Sequence, residues 1–274
     1  MTDSACDLLD ETLVEYGIGL VPLRIRFGEE ELVDRVELST KEFWSRCAGS
    51  PVLPSTAAPS PGQFQEAFEK MADDGADGVV CVNLSSKMSA TIESARQAAR
   101  ALEGRFPVRV VDSRSVTLGL GLVVTEAARA AAAGAPLDDV VAQAETAASR
   151  MKLYGAIDTL ENLKKGGRIG GAQALLGSML SIKPVIEVRD GVVEQESKQR
   201  TRSKSLRYLA DKARAALPVS RLAVFSADAP DLDDFLKLLE GVTPVEGSTL
   251  FGDVGPVIGT HAGRGAIGVA WIPA

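Results

Sequence analysis

The chain has 274 residues, 45% hydrophobic and 24% charged, with a formal net charge of −7 and a pI near 5.0. That length suits one large α/β domain or two modest ones, and the composition excludes disorder along most of the chain. The acidic balance argues against a nucleic-acid partner, and three widely spaced cysteines (Cys6, Cys47, Cys81) with no CxxC pair argue against a zinc site or a disulfide framework.

No apolar run reaches the roughly 18 residues of a membrane span, so no membrane insertion is expected. The segment after Met1, TDSACDLLDE, is acidic and polar, unlike a secretory leader, and a cytoplasmic location is expected. TDSACD reads as the loop that follows a buried strand. The expectation is therefore that a first strand is missing ahead of it.

Residues 18–27 (IGLVPLRIRF) alternate and predict a strand. Short helices are expected at 40–47 and 62–73. GVVCVNL at 78–84 is continuous and apolar, the pattern of a strand buried on both faces. A helix over 89–103, a buried strand at 107–112 and two alanine-rich helices near 117–133 and 136–151 follow.

A second unit begins near residue 152. YGAIDT at 154–159 predicts a strand, KKGGRIGG at 164–171 is glycine-rich and basic, and a helix is expected near 172–180. KPVIEV at 183–188 leads through Asp190-Gly191, a hairpin signal, into VVEQES. A helix at 201–216, the strand RLAVFSA, a helix at 230–240 and the closing strand GVAWIP complete the chain. Strands alternating with helices predict α/β layers, with a mainly parallel sheet in the first unit and a mixed one in the second.

Several polar segments interrupt this pattern. Pro54–Ser60 carries Ser55, Thr56 and Ser60 between two prolines; from this segment alone an ordinary loop is favoured, with Ser60 capping the next helix. Ser85–Thr91 lies between a buried strand and a helix, where ligands bind in open parallel sheets and helix N–H groups favour an anion. Ser89 as N-cap would present its hydroxyl beside those donors; pure capping, with Ser86 facing water, explains the same residues equally well. Asp112 would cap a helix or hold a neighbouring loop.

Lys164–Ile169 offers close backbone approach at its glycines and a cation at Arg168, but lacks GxxxxGK[ST] spacing. His261 is the sole histidine, in THAGRG, either a structural residue of a turn or an anion contact and switch. A lone histidine excludes a multi-histidine metal site.

Taken together, these segments resemble the DegV family of bacterial fatty-acid-binding proteins, which includes the FakB subunits. TDSACDL at 2–8, VPLRI at 21–25, STAAPSP at 55–61 and SSKMSATIESA at 85–95 are similar to the family's motifs. So, in order, are VDSRSVTLGLG at 111–121, LENLKKGGRI at 160–169, IKPVIEVRDG at 182–191 and THAGRGAIG at 260–268. The resemblance implies two α/β domains, 1–152 with three layers and a mainly parallel sheet and 153–274 with a mixed sheet, and a ligand tunnel between them.

It also implies a long-chain fatty acid (for example palmitate, stearate or oleate) as bound ligand. Thr56 and Ser89 would hold the carboxylate, and Arg168, His261 and Ser86 would lie near the head group or a partner surface. The partner it implies is a fatty acid kinase catalytic subunit of the FakA type, which would form the acyl phosphate. No catalytic residue, metal or further cofactor is then required of this chain.

Ala57, Ala58, Ala90 and Arg264 depart from the family's pattern. The competing reading is a serine-dependent acyl-ester hydrolase using Ser86 or Ser89 with His261, although no GxSxG elbow is present. A sugar or dihydroxyacetone kinase relative would need a phosphate loop or a metal-binding carboxylate cluster, and neither is evident.

Overall fold

A computed structural model describes residues 1–50, 52–174 and 182–274. The first part of the chain forms β1 (Thr2–Asp3), α1 (Asp10–Glu15), β2 (Leu20–Val21), β3 (Arg24–Phe27), β4 (Glu30–Val33), α2 (Thr40–Gly49) and β5 (Ser55–Ala57). It continues with α3 (Pro61–Asp73), β6 (Val79–Asn83), α4 (Thr91–Ala101), β7 (Val108–Asp112), α5 (Thr117–Ala132) and α6 (Leu137–Arg150). The rest forms β8 (Lys152–Ala156), α7 (Glu161–Lys165), β9 (Lys183–Arg189), β10 (Val192–Gln199), α8 (Arg202–Ala215), β11 (Val219–Ser226), α9 (Leu232–Leu238), β12 (Leu250–Asp253), α10 (Pro256–Ala262) and β13 (Ile267–Pro273).

Among the described residues these strands make three sheets. The first, β2-β1-β6-β7, is parallel throughout, and the apolar runs at 79–83 and 108–112 are its adjacent strands. The second, β10-β9-β8-β13-β11-β12, is mixed: β11 and β12 run parallel and the other pairs are antiparallel. The Asp190-Gly191 turn joins β9 to β10 as expected, with Asp190 and Gly191 both in the left-handed region, at φ 51° and 81°.

Three expectations need correction. Residues 18–27 are not one strand. Pro22 has no N–H for a ladder, and the chain breaks there into β2, in the parallel sheet, and β3, in the small antiparallel sheet β4-β3-β5. Residues 54–60 are not all loop, since Ser55–Ala57 pair with β3 as an outer strand of that sheet. TDSACD is not a loop alone: Thr2–Asp3 are a strand between β2 and β6, followed by a 3₁₀ turn at Ser4–Cys6. The helix expected near 172–180 falls largely on 175–181, outside the described residues.

α3 and α4 pack together on one face of the parallel sheet, around Phe64, Phe68 and Cys81. α5 and α6 cover its other face and also lie against β13 of the mixed sheet, α5 against β11 as well. Ten of the sixteen residues of α5 are buried, and its opening TLGLGLVV is apolar all round because both sides meet a sheet. α8 covers the far face of the mixed sheet, with α9 beside it. The layers alternate helix, sheet, helix, sheet, helix, and one apolar core runs from Ala5 through Leu120 and Leu153 to Ile272.

Candidate functional site

The polar opening of the chain organises the ends of the parallel strands. Asp3 accepts hydrogen bonds from Ala5 N–H at 3.1 Å, Asn83 Nδ2 at 3.0 Å and Leu84 N–H at 2.9 Å, so it clamps the point where β6 turns out of the sheet. Burial pushes its carboxyl up to about 6, offset by those donors. Ser4 Oγ accepts from Leu23 N–H at 3.0 Å, just past the Pro22 break.

The turn after β6 is fixed next. Ser85 is fully buried; its Oγ donates to Gly191 O at 2.6 Å, and its carbonyl accepts from Met88 and Ser89 N–H, both at 3.1 Å. Asp112 holds the neighbouring loop, accepting from Ser86 N–H at 3.3 Å and Arg114 N–H at 2.8 Å. Ser89 is not the N-cap of α4; Ala90 is, without a side-chain cap. Ser89 Oγ stands one residue earlier, accepting from Thr91 N–H at 3.2 Å and lying 2.9 Å from Thr91 Oγ1. Ser86 is exposed.

His261 is not in a turn. It occupies the last turn of α10, a short helix with Pro256 in its first turn. Asp7 Oδ1 accepts from Gly255 N–H at 3.1 Å and so fixes the helix entry, while burial pushes the Asp7 carboxyl up to about 8. His261 Nε2 lies 3.2 Å from Thr56 Oγ1 on β5; either atom donates, according to the tautomer. Its Nδ1 is buried with no hydrogen-bond partner among the described residues, and Gly166 lies against it: a Cβ on Gly166 would fall 2.3 Å from Nδ1. Burial first, then the Arg168 guanidinium, push the imidazole down to about 4, so it is neutral at neutral pH. Arg168 Nε donates to Met88 O at 3.0 Å and Nη1 to Gly166 O at 2.6 Å, tying the glycine-rich loop to the Ser85–Ser89 turn.

Thr56, Ser89, Arg168 and His261 line one cavity with about 830 Å³ of empty space, part of it open to solvent. Its remaining walls are mainly aliphatic, including Leu23, Val116, Leu153, Ile186 and Val257, and they come from both sides of residue 152. A few polar groups on an otherwise apolar wall are the usual make-up of a small-molecule site. Four of the five residues singled out from the sequence converge there; Ser86 does not line the cavity. Two residues that shape the site were not singled out: Asp7 and Thr117, the latter buried in the cavity wall at φ 46°. The close backbone approach expected of the glycines at 166–167 is found at Gly166, against His261.

Among the described residues no group of three His, Cys, Asp or Glu side chains is placed to hold a metal ion, and no helix is long and apolar enough to cross a membrane. Cys6 and Cys81 are buried, and burial pushes both thiols up, which leaves them unreactive.

Comparison with known proteins gives a consistent result. A DegV domain-containing protein of Streptomyces coelicolor is 38% identical over 274 residues, covering 98% of this chain and 96% of its own. One from Deinococcus radiodurans is 37% identical, covering 100% and 97%. The structure of a DegV family protein from Thermus thermophilus, described as fatty acid binding, superposes with a TM-score of 0.90 at 31% identity, covering 100% of this chain and 98% of that one. A stearic acid-binding protein from Eubacterium ventriosum gives 0.86 at 26%, covering 99% and 97%. The model of the DegV family, described as "Uncharacterised protein, DegV family", matches residues 1–274, and the chain belongs to that family.

Proposed function

We propose that this protein binds a long-chain fatty acid, such as palmitate, stearate or oleate, in a tunnel between units 1–152 and 153–274. The Thr56 and Ser89 hydroxyls hold the carboxylate, with His261 and Arg168 beside the head group. The observation that carries this reading is the confinement of those four polar side chains to one otherwise largely apolar cavity. A carboxylate leaving water needs several hydrogen bonds, and hydroxyls supply them without a permanent buried charge. Each buried methylene adds about 0.8 kcal/mol, so affinity comes mainly from the tail and orientation from the head.

The family's structures from Thermus thermophilus and Bacillus subtilis, both described as fatty acid binding, support the ligand class. The hydrolase alternative gains no support. His261 Nε2 meets Thr56 and Ser89 Oγ meets Thr91, so among the described residues no serine is paired with the imidazole and no carboxylate orients Nδ1. We extend the reading to presentation: the bound acid is offered to a separate fatty acid kinase subunit of the FakA type, in the cytoplasm where ATP is the donor.

Native mass spectrometry after gentle purification tests the first step. A co-purified or readily taken up fatty acid is expected; neither recovery nor uptake would overturn it. Acyl phosphate should then appear only when a FakA-type subunit and ATP are both added.

A further inference from the structure

Gly155 on β8 and Gly268 on β13 face each other across the mixed sheet, flanked in the same row by Ile186 on β9 and Phe225 on β11. Residues opposite one another in register share a face of the sheet, and Gly155, Ile186 and Phe225 all line the cavity. The two glycines are not equivalent. A Cβ on Gly268 would fall 2.1 Å from Phe225 Cε2, so the aromatic ring lies over that bare backbone. A Cβ on Gly155 would meet only Ile186 Cγ1 at 3.7 Å and Ile267 O at 3.8 Å, which is ordinary contact. Gly268 is thus explained by the ring that covers it. At Gly155, among the described residues, the edge of Ile186 is the only side chain that comes near, at ordinary contact distance, and the glycine lines the cavity.

The floor is stepped: raised by the Phe225 ring over β13 and lowered beside it over β8. A straight polymethylene chain crossing that step leaves the low side unfilled, and its lining loses dispersion contacts. A chain with a cis double bond is bent there, so its axis follows the step and its kink fills the low side. We propose that the Gly155 notch beside Phe225 selects cis-unsaturated long-chain acids over saturated ones of the same length. This rests on the fatty-acid reading above.

The test is calorimetric binding of oleate and stearate to the delipidated full chain and to Gly155→Ala. The contact at stake is about one methylene, so wild type should favour oleate by about fourfold or more. Gly155→Ala should erase that preference by weakening oleate and, because the added methyl fills the gap beneath a straight chain, by holding or strengthening stearate, with a melting temperature no lower than wild type. Phe225→Leu, which lowers the high side of the step, should also reduce the preference, by strengthening stearate. Equal affinities in wild type, an equal change for both acids in Gly155→Ala, or a destabilised Gly155→Ala protein would each overturn the notch. Failure of wild type to bind either acid would instead overturn the fatty-acid reading and this inference with it.

Discussion

His261 Nε2 and Thr56 Oγ1 stand 3.2 Å apart although 205 residues separate them in the chain. The bond joins the end of α10 to an outer strand of the small antiparallel sheet, so this polar wall of the cavity exists only once both are folded. Thr56→Ala removes a hydroxyl from the cavity and the imidazole's partner together; Ser89→Ala removes the other hydroxyl. Each should weaken fatty-acid binding by roughly 1.5–3 kcal/mol, the range for a hydrogen bond to a charged group. Thr56→Ser should keep most of the affinity. Calorimetry on the delipidated protein measures this, and a double variant with wild-type affinity would refute the head-group assignment.

Gly166 sets the imidazole from behind. Alanine there would place its Cβ 2.3 Å from His261 Nδ1, closer than any real contact, so the ring must swing. Gly166→Ala should therefore lose affinity comparably to Thr56→Ala, although it deletes no polar group. Because the chain has a single histidine, its imidazole NMR resonances report the displacement directly. Unmoved resonances with full affinity would show that the glycine is there for another reason.

The same resonances test the electrostatics. The folded imidazole should titrate at about 4, against 6.5 for an unperturbed histidine, and Arg168→Gln should move it upward. Between those values the unfolded chain holds a proton that the folded chain does not. Stability tied to His261 is thus present above 6.5 and lost as pH falls toward 4. Asp3 and Asp34, raised to about 6, and Asp7, raised to about 8, act oppositely: each loses stability as pH rises from 3.8 toward its folded value. The His261 part is isolated as the melting-temperature difference between wild type and His261→Gln, which should shrink as pH drops from 6.5 to 4. A difference constant across that window would contradict a neutral buried imidazole.

How much of this was readable in the sequence depended on range. The Asp190-Gly191 hairpin and the buried strand around Cys81 announce themselves through local turn chemistry and a continuous apolar run. Residues 107–112, expected as a buried strand, instead lie at the sheet edge, with Arg109 exposed and only Val111 buried. Thr56 and His261 could be named, but not their settings. Pro54 and Pro59 made a three-residue strand look like a stiff loop, because β5 exists only through pairing with β3. The glycines after His261 masked a seven-residue helix, although Pro256 near its start was a visible signal. Ser86 and Ser89 are indistinguishable as hydroxyls in one turn; the packing of Ser85 against Gly191 decides which faces the cavity. The Gly155–Gly268–Phe225 row depends on register between strands more than forty residues apart in the chain, which no local pattern encodes.

Ser85 Oγ, fully buried, donates to Gly191 O at 2.6 Å, joining segments 106 residues apart in the chain. Its removal in Ser85→Ala leaves a buried carbonyl unpaired, at a cost of about 1–3 kcal/mol. For a chain of this size that lowers the melting temperature by roughly 2–10 °C. We propose further that units 1–152 and 153–274 unfold together, because α5 packs on both larger sheets and the core runs through both units. Scanning calorimetry of Ser85→Ala should then show one transition, shifted down as a whole. Two separated transitions, or none moved, would mean that each unit carries its own core and that the Ser85–Gly191 bond contributes little to holding them.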